Sequence, residues 1–313
     1  MKLNYRRTFF IGLAFMSISA FWQMYDNIIP LILQNSFHLG ETLTGAIMAS
    51  DNVLAVVLLP ALGALSDRAD TRWGKRTPFI VVGTALAVLF MMLLPEADNS
   101  RNLPLFMISL GAVLLSMGLY RSPAVALMPD LTPKPLRSQA NAVINLMGAI
   151  GGVYSLILIS LLVGDGATPD YTWLFVGVAA LMVGAVIVLL FTVREKKLAL
   201  QIRQEYGEAA MEPDEPGEPE FGEPEFGEPE PGEAERSART EEPENRHPGA
   251  AREKMPAAVR RSLIFILLSI FFWFTAYNAV TTAFSRYART VWGIEGGGFA
   301  NCLMVATVAA IAS

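Results

Sequence analysis

Predominantly apolar segments alternate with short polar ones along most of the chain. The first runs from Thr8 to Leu33, and it is too long for the apolar part of a cleavable signal peptide. A helix needs about 20 residues to cross a membrane, and seven of the segments are about that long. A last apolar segment, from Phe299 to Ser313, is shorter. The pattern predicts seven membrane-spanning helices and part of an eighth.

Composition agrees with this pattern. Of the 313 residues 53% are hydrophobic, which is typical of a polytopic membrane protein. The net charge of −5 comes from one region, because thirteen carboxylates lie between Glu205 and Glu235, where there is no Lys or Arg. The rest of the chain has more cations than carboxylates. Nothing in this distribution indicates nucleic-acid binding.

The polar segments divide the chain into three parts. Residues 1–197 are predicted to form a six-helix transmembrane bundle. Residues 198–256 contain the acidic region, whose repeats of Pro, Gly and Glu have too little apolar surface to fold, so we expect a disordered linker. Residues 257–313 contain helix 7, expected to end near Phe284 before an external loop, and a partial helix 8. Lys and Arg in alternate loops predict a multi-pass protein of the plasma (inner) membrane with a cytoplasmic N-terminus and linker.

The loop between the second and third segments has the most distinctive sequence. It reads GALSDRADTRWGKRTP from Gly63 to Pro78. Its start and its R-W-G-K-R-x-P end resemble the signature loop of major facilitator transporters. The spacing resembles the glycoside–pentoside–hexuronide:cation symporters and the related sucrose-transporter branch. We therefore assign gating roles to its polar and glycine residues and to two residues of the next basic turn: Gly63, Asp67, Arg68, Arg72, Gly74, Lys75, Arg76, Asp130 and Arg137.

The resemblance implies an all-α major facilitator fold with two six-helix halves and alternating access. Twelve helices are implied, so the chain corresponds to the first half plus helix 7 and a partial helix 8, as a C-terminally truncated carrier would. The family also implies that Asp67 contacts a helix of the second half, beyond Ser313.

Charged residues inside predicted membrane helices are costly and therefore suggest function. Asp26 and Asp51 lie in helices 1 and 2, each followed by an amide, Asn27 or Asn52, and Trp22 lies one turn before Asp26. These residues are candidates for binding a cation and sugar hydroxyls, with the indole ring stacking on the sugar. The alternative is a protonated carboxylate that only holds helices together.

Other candidates lie on helices 4 and 7. Arg121 is too deep to reach the surface easily, so it either lines the cavity or pairs with a carboxylate. Trp273, Tyr277 and Asn278 form a possible sugar-binding face, although packing or lipid contact would explain them equally well. On helix 5, the spacing of Gly148 and Gly152 predicts a close helix contact.

The resemblance also bears on the coupling ion. The positions that match the sodium-binding carboxylates of the melibiose-permease branch are Ala55 and Leu59, so a proton is favoured over sodium.

We predict a secondary active transporter that couples a cation, favouring the proton, to symport of a sugar or glycoside. The alternatives are a non-transporting truncated membrane protein or sensor, and a drug or metabolite exporter of the same superfamily. The expected partners are a small-molecule substrate and the lipid bilayer. No enzyme, cofactor or metal site is predicted, because the sequence contains no catalytic constellation and its two histidines, His38 and His247, lie far apart.

Overall fold

The computed structural model describes residues 3–69, 71–164, 169–206, 257–294 and 296–312. Within these ranges the chain is α-helical, with one short 3-10 helix at Lys134–Leu136 and no β-strand. The described helices are α1 (Tyr5–Asn35), α2 (Glu41–Arg68), α3 (Thr77–Asn99), α4 (Leu103–Asp130), α5 (Arg137–Leu162), α6 (Thr172–Thr192), α7 (Glu195–Tyr206), α8 (Ala257–Trp292) and α9 (Phe299–Ala312).

Among the described residues, five helices are long and apolar enough to cross a membrane: α1, α3, α4, α5 and α6. At 1.5 Å per residue, the 28 residues of α2 are also long enough to cross one. Large apolar side chains point outward from the bundle: Phe191 is 84% exposed and Leu161 is 75% exposed. Such a surface suits contact with lipid. The prediction of an all-α polytopic membrane protein is confirmed.

Helix α1 packs against α5 and α6, while α3 packs mainly against α4. Glycines of α5 allow the close contact between α1 and α5. A Cβ atom at Gly151 would overlap the backbone carbonyl of Met16, and one at Gly148 would lie 3.0 Å from the Ser19 hydroxyl. The close helix contact predicted from Gly148 therefore exists, and Gly151 is the tightest point of it.

Two helices extend beyond the positions expected from sequence. α7 occupies residues 195–206, where the linker was expected to begin at 198, because it is amphipathic: Ile202 is fully buried while Lys196 and Lys197 are exposed. The rest of the predicted linker lies outside the described residues. α8 continues through the expected external loop to Trp292, because Ser285 and Ala288 are buried on one face of the helix.

The chain divides into two compact units, residues 1–213 with 278–313, and residues 214–277. The first unit contains α1 to α7, the last part of α8, and α9, which packs against α5. Within that contact the Ser160 hydroxyl donates a hydrogen bond to Asn301 Oδ1 at 2.9 Å. Of the second unit, residues 257–277 are described, and they form the beginning of α8.

The contact at Gly151 predicts how a small substitution affects stability. Gly151→Ala should destabilise the protein by about 1 to 3 kcal/mol, because the new methyl group has to push α1 away from α5. It should lower the apparent Tm of the purified protein in detergent. Gly184→Ala in α6 is the matched control, since nothing lies within 4 Å of its Cβ position. An equal Tm change for both variants would contradict the packing described here.

Candidate functional site

Asp26 of α1 and Asp51 of α2 line the same cavity, which has a volume of about 380 Å³. This volume is within the range of small-molecule binding sites. Besides the two aspartates, the cavity is lined by further polar residues of α1, α2 and α8: Gln34, Glu41, Thr44, Asn52 and Arg286. Apolar residues such as Pro30 and Met48 complete the lining. The polar groups of the cavity are mainly carboxylates and amides, which bind hydroxyl groups or cations.

Arg121 lies near Asp51, beside a second and smaller cavity. A small cavity of about 20 Å³ is lined by Asp51, Arg121 and Trp22, so Asp51 lies between the two cavities. Asp51 is close enough to interact electrostatically with both Asp26 and Arg121. When all three are ionised, their combined charge is −1. Arg121 thus lines the small cavity and not the large one, and it lies near the carboxylate of Asp51.

Trp22 lies among aromatic side chains and a cation. The Arg121 guanidinium lies over its ring at 5.6 Å from the centroid, and Phe21 and Tyr25 contact the ring edge-on at 5.3 Å. A cation thus covers one face of the ring, and stacking of a sugar on Trp22 stays a prediction. The indole Nε1 is buried and has no hydrogen-bond partner among the described residues.

The two amides lie in different places. Asn52 lines the large cavity, and its Nδ2 donates a hydrogen bond to Asp51 Oδ1 at 2.8 Å. Asn27 is 1% exposed, and its Nδ2 donates to the backbone carbonyl of Gln23 at 2.8 Å. Thus Asn52 orients a candidate carboxylate, while Asn27 is packed within the bundle.

Tyr25 is a polar neighbour of the site that sequence reasoning missed. Its side chain is 1% exposed, and its hydroxyl has no hydrogen-bond partner in the described part of the chain. It interacts electrostatically with both Asp51 and Asp26. Its position next to Asp26 was the sequence feature that could have placed Tyr25 at the site. Tyr25 was overlooked because adjacent residues of a helix point about 100° apart, which does not suggest a shared site.

An ion pair lies at the edge of the large cavity. Arg286 of α8 and Glu41 at the start of α2 are 2.6 Å apart. Both side chains line the cavity and remain substantially exposed. Sequence reasoning missed this pair because it placed Arg286 in a loop, whereas α8 continues past it.

Arg76 is the centre of the signature loop. Its side chain is 7% exposed and forms ion pairs with Asp67 and with Asp130, the latter at 2.8 Å. It also donates hydrogen bonds to the Gly63 carbonyl oxygen and to the Ser66 hydroxyl. Arg76 is therefore one partner of Asp67. The contact with a second-half helix that the resemblance implies stays a prediction.

Glu195, at the start of α7, holds the same loop from the other side. Its carboxylate accepts hydrogen bonds from the backbone N–H groups of Lys75 at 2.6 Å, Arg76 at 3.1 Å and Thr77 at 2.9 Å, and from the Thr77 hydroxyl at 2.7 Å. These N–H groups belong to the N-terminus of α3, where a negative charge is stabilising. Sequence reasoning missed Glu195 because it is 118 residues from Thr77 in the chain.

Gly74 makes this arrangement possible. Its φ angle is +126°, a conformation that other residues rarely adopt, and a Cβ atom there would overlap the Glu195 carboxylate. The glycine of the R-W-G-K-R sequence thus has a local physical explanation.

The remaining predicted residues lie at the periphery or outside the described side chains. Arg68, Arg72 and Lys75 are exposed. Arg137 donates to the carbonyl oxygens of Thr132 and Pro129 and so closes the end of α4. The side chains of Trp273, Tyr277 and Asn278 are outside the described residues.

Residues 11–313 match the family described as the Major Facilitator Superfamily, which is nearly the whole chain. The chain belongs to this superfamily. Major facilitators are membrane transporters that bind small-molecule substrates, and the family is not one of enzymes.

One similar protein is the sucrose transport protein SUC3 of Arabidopsis thaliana, which is 26% identical over 120 residues. The alignment covers 32% of this chain and 20% of that protein. The similarity is thus weak and partial, and the chain matches only about a fifth of the length of this relative.

The Glu195 network predicts a large effect of a conservative change. Glu195→Gln replaces one acceptor oxygen by an NH₂ group that faces N–H donors, so it should destabilise the protein by about 2 to 3 kcal/mol. The measurement is the apparent Tm, together with the rate of trypsin cleavage after Arg72 and Lys75. Glu96→Gln, at an exposed glutamate of α3, is the control. Equal behaviour of the two variants would show that the network contributes no stability.

Proposed function

We propose that the protein transports a sugar or glycoside by proton-coupled symport in the plasma (inner) membrane, with its N-terminus in the cytoplasm. The observation that carries the proposal is the cavity lined by Asp26 and Asp51, with Arg121 beside Asp51. Superfamily membership supports transport, and the partial similarity to a sucrose transport protein supports a sugar as substrate.

The charges of the site support coupling to one cation. Arg121 balances one carboxylate, and the second is left as an uncompensated negative charge among apolar helices, which is unfavourable. Binding one proton at Asp26 would neutralise the site. Substrate and proton together would then let the cavity change its orientation more easily than either alone.

One observation supports a proton over sodium. Ala55 is one of the two positions that match the sodium-binding carboxylates of the melibiose-permease branch. It lines the small cavity, and its side chain supplies no oxygen ligand.

The two ends of the bundle supply groups that would control access to the cavity. Glu41 and Arg286 lie at one mouth, while the Arg76 and Glu195 network lies at the end where α2 meets α3. We propose that the first pair forms part of an outer gate and the second network an inner gate.

A transport assay separates coupling from substrate binding. In proteoliposomes that contain the complete protein, Asp26→Asn should reduce proton-driven accumulation of labelled sucrose at least tenfold, because no proton is carried. Exchange of internal for external sugar should persist, because it needs no net proton movement. Asp51→Asn should lose both activities, because it leaves the Arg121 charge uncompensated.

The matched control is Asp170→Asn. Asp170 is exposed, and hydrogen bonds from Thr172 lower its pKa, so this variant removes a negative charge that does not line the cavity. It should transport as the wild type does. Full accumulation by Asp26→Asn would overturn the proposed coupling, and sugar efflux against the proton gradient in the wild type would favour an exporter.

The outer gate can be tested by reagent access. In a Cys302→Ser background, a cysteine at Gln34 should react with a membrane-impermeant maleimide up to about fivefold faster when Glu41 is changed to Lys, because an exposed ion pair contributes at most about 1 kcal/mol. Adding Arg286→Glu restores opposite charges and should restore the slow rate. If the double variant reacts as fast as Glu41→Lys, the pair is not a gate.

A further inference from the structure

A second cavity lies at the end of the bundle where α3 begins and α6 ends. Its volume is about 360 Å³. Four cationic side chains line it, all of them exposed, and no carboxylate does: Arg72, Arg194, Lys196 and Lys197. It shares no residue with the cavity of Asp26 and Asp51. This basic cavity is therefore separate from the cavity of Asp26 and Asp51, and its charge suits an anion.

The basic cavity lies at the level where the bilayer surface is expected. Its apolar wall consists of Leu190 and Val193, at the end of the membrane-spanning helix α6, and Phe191 between them is 84% exposed. Trp73, which also lines it, is 59% exposed. Exposed Trp side chains are enriched at the boundary between lipid and water.

The positive surface continues beyond this cavity. A neighbouring cavity of about 400 Å³ shares Arg194 and Lys197 with it and adds Arg6 and Arg7 from the start of α1. The nearby carboxylate of Glu195 keeps its negative charge, but its oxygens accept hydrogen bonds from the backbone and hydroxyl of the α3 N-terminus. Glu195 also does not line the basic cavity.

We propose that the basic cavity binds the headgroup of an anionic phospholipid. The phosphodiester would accept hydrogen bonds from Arg72, Lys196 and Lys197, as basic pockets between membrane helices do. Trp73 would lie at the level of the glycerol backbone, and the acyl chains would run along the exposed apolar surface at Phe191. The apolar wall favours a lipid over a soluble phosphate, because free phosphate would gain nothing from it.

Lipid binding would act on the signature loop. Arg72 and Trp73 precede Gly74, and the next residues of the loop are held by Glu195. Lys196 and Lys197 follow Glu195 directly. A lipid that bridges Arg72 and Lys196 would therefore link the same two segments that the Glu195 carboxylate joins, and would stabilise the closed loop.

The test is binding of phosphatidylglycerol to the full chain, measured by native mass spectrometry with phosphatidylcholine as the neutral comparison. Lys196→Gln with Lys197→Gln should weaken binding of phosphatidylglycerol about 30-fold, the effect of removing two cations at an anionic surface. Binding of phosphatidylcholine should not change. Arg68→Gln with Lys134→Gln removes the same charge from other loops at this end and should change binding less than threefold.

Several results would overturn the proposal. These are equal losses in the two double variants, no preference of the wild type for phosphatidylglycerol, and displacement of the lipid by millimolar inorganic phosphate. If the double variant fails to fold, judged by its apparent Tm, Arg72→Gln tests the same site. It should weaken binding about fivefold, and unchanged binding by a folded Arg72→Gln would reject the site.

Discussion

The free-energy cost of placing charge among apolar helices determines how this bundle is arranged. Asp51 lies between Asp26 and Arg121, so that one carboxylate has a nearby cation and the other does not. An unbalanced charge among apolar helices is unfavourable, so binding of one cation would stabilise the site. This is the physical basis of the coupling that we propose.

Pairing of opposite charges also stabilises the end of the bundle where α2 meets α3. Arg76 is buried and has two carboxylate partners, Asp67 and Asp130, while Glu195 binds the main chain beside it. Each of these groups satisfies another, so their contacts stabilise one another. A conformational change at this end requires several of these bonds to break together, which is what an inner gate needs.

The sequence predicted the helices well and the contacts between them only in part. Long apolar segments identify α1 and α3 to α6 directly, because membrane length leaves few alternatives. The roles of Glu195 and Tyr25 were not predictable, because their partners depend on helix packing and on distant residues. The stacking role of Trp22 was predicted without knowledge that Arg121 covers its ring. Charge composition alone also could not show that Ser285 to Trp292 is helical.

In the mechanism that we propose, sugar and proton move together through the cavity of Asp26 and Asp51. The most direct measurement is the pH inside lightly buffered proteoliposomes after external sugar is added, with no gradient imposed beforehand. Symport predicts that the lumen becomes acidic, with about one proton entering per sugar molecule, and that a protonophore abolishes the change. Sugar entry with no change in internal pH would contradict proton coupling at this site.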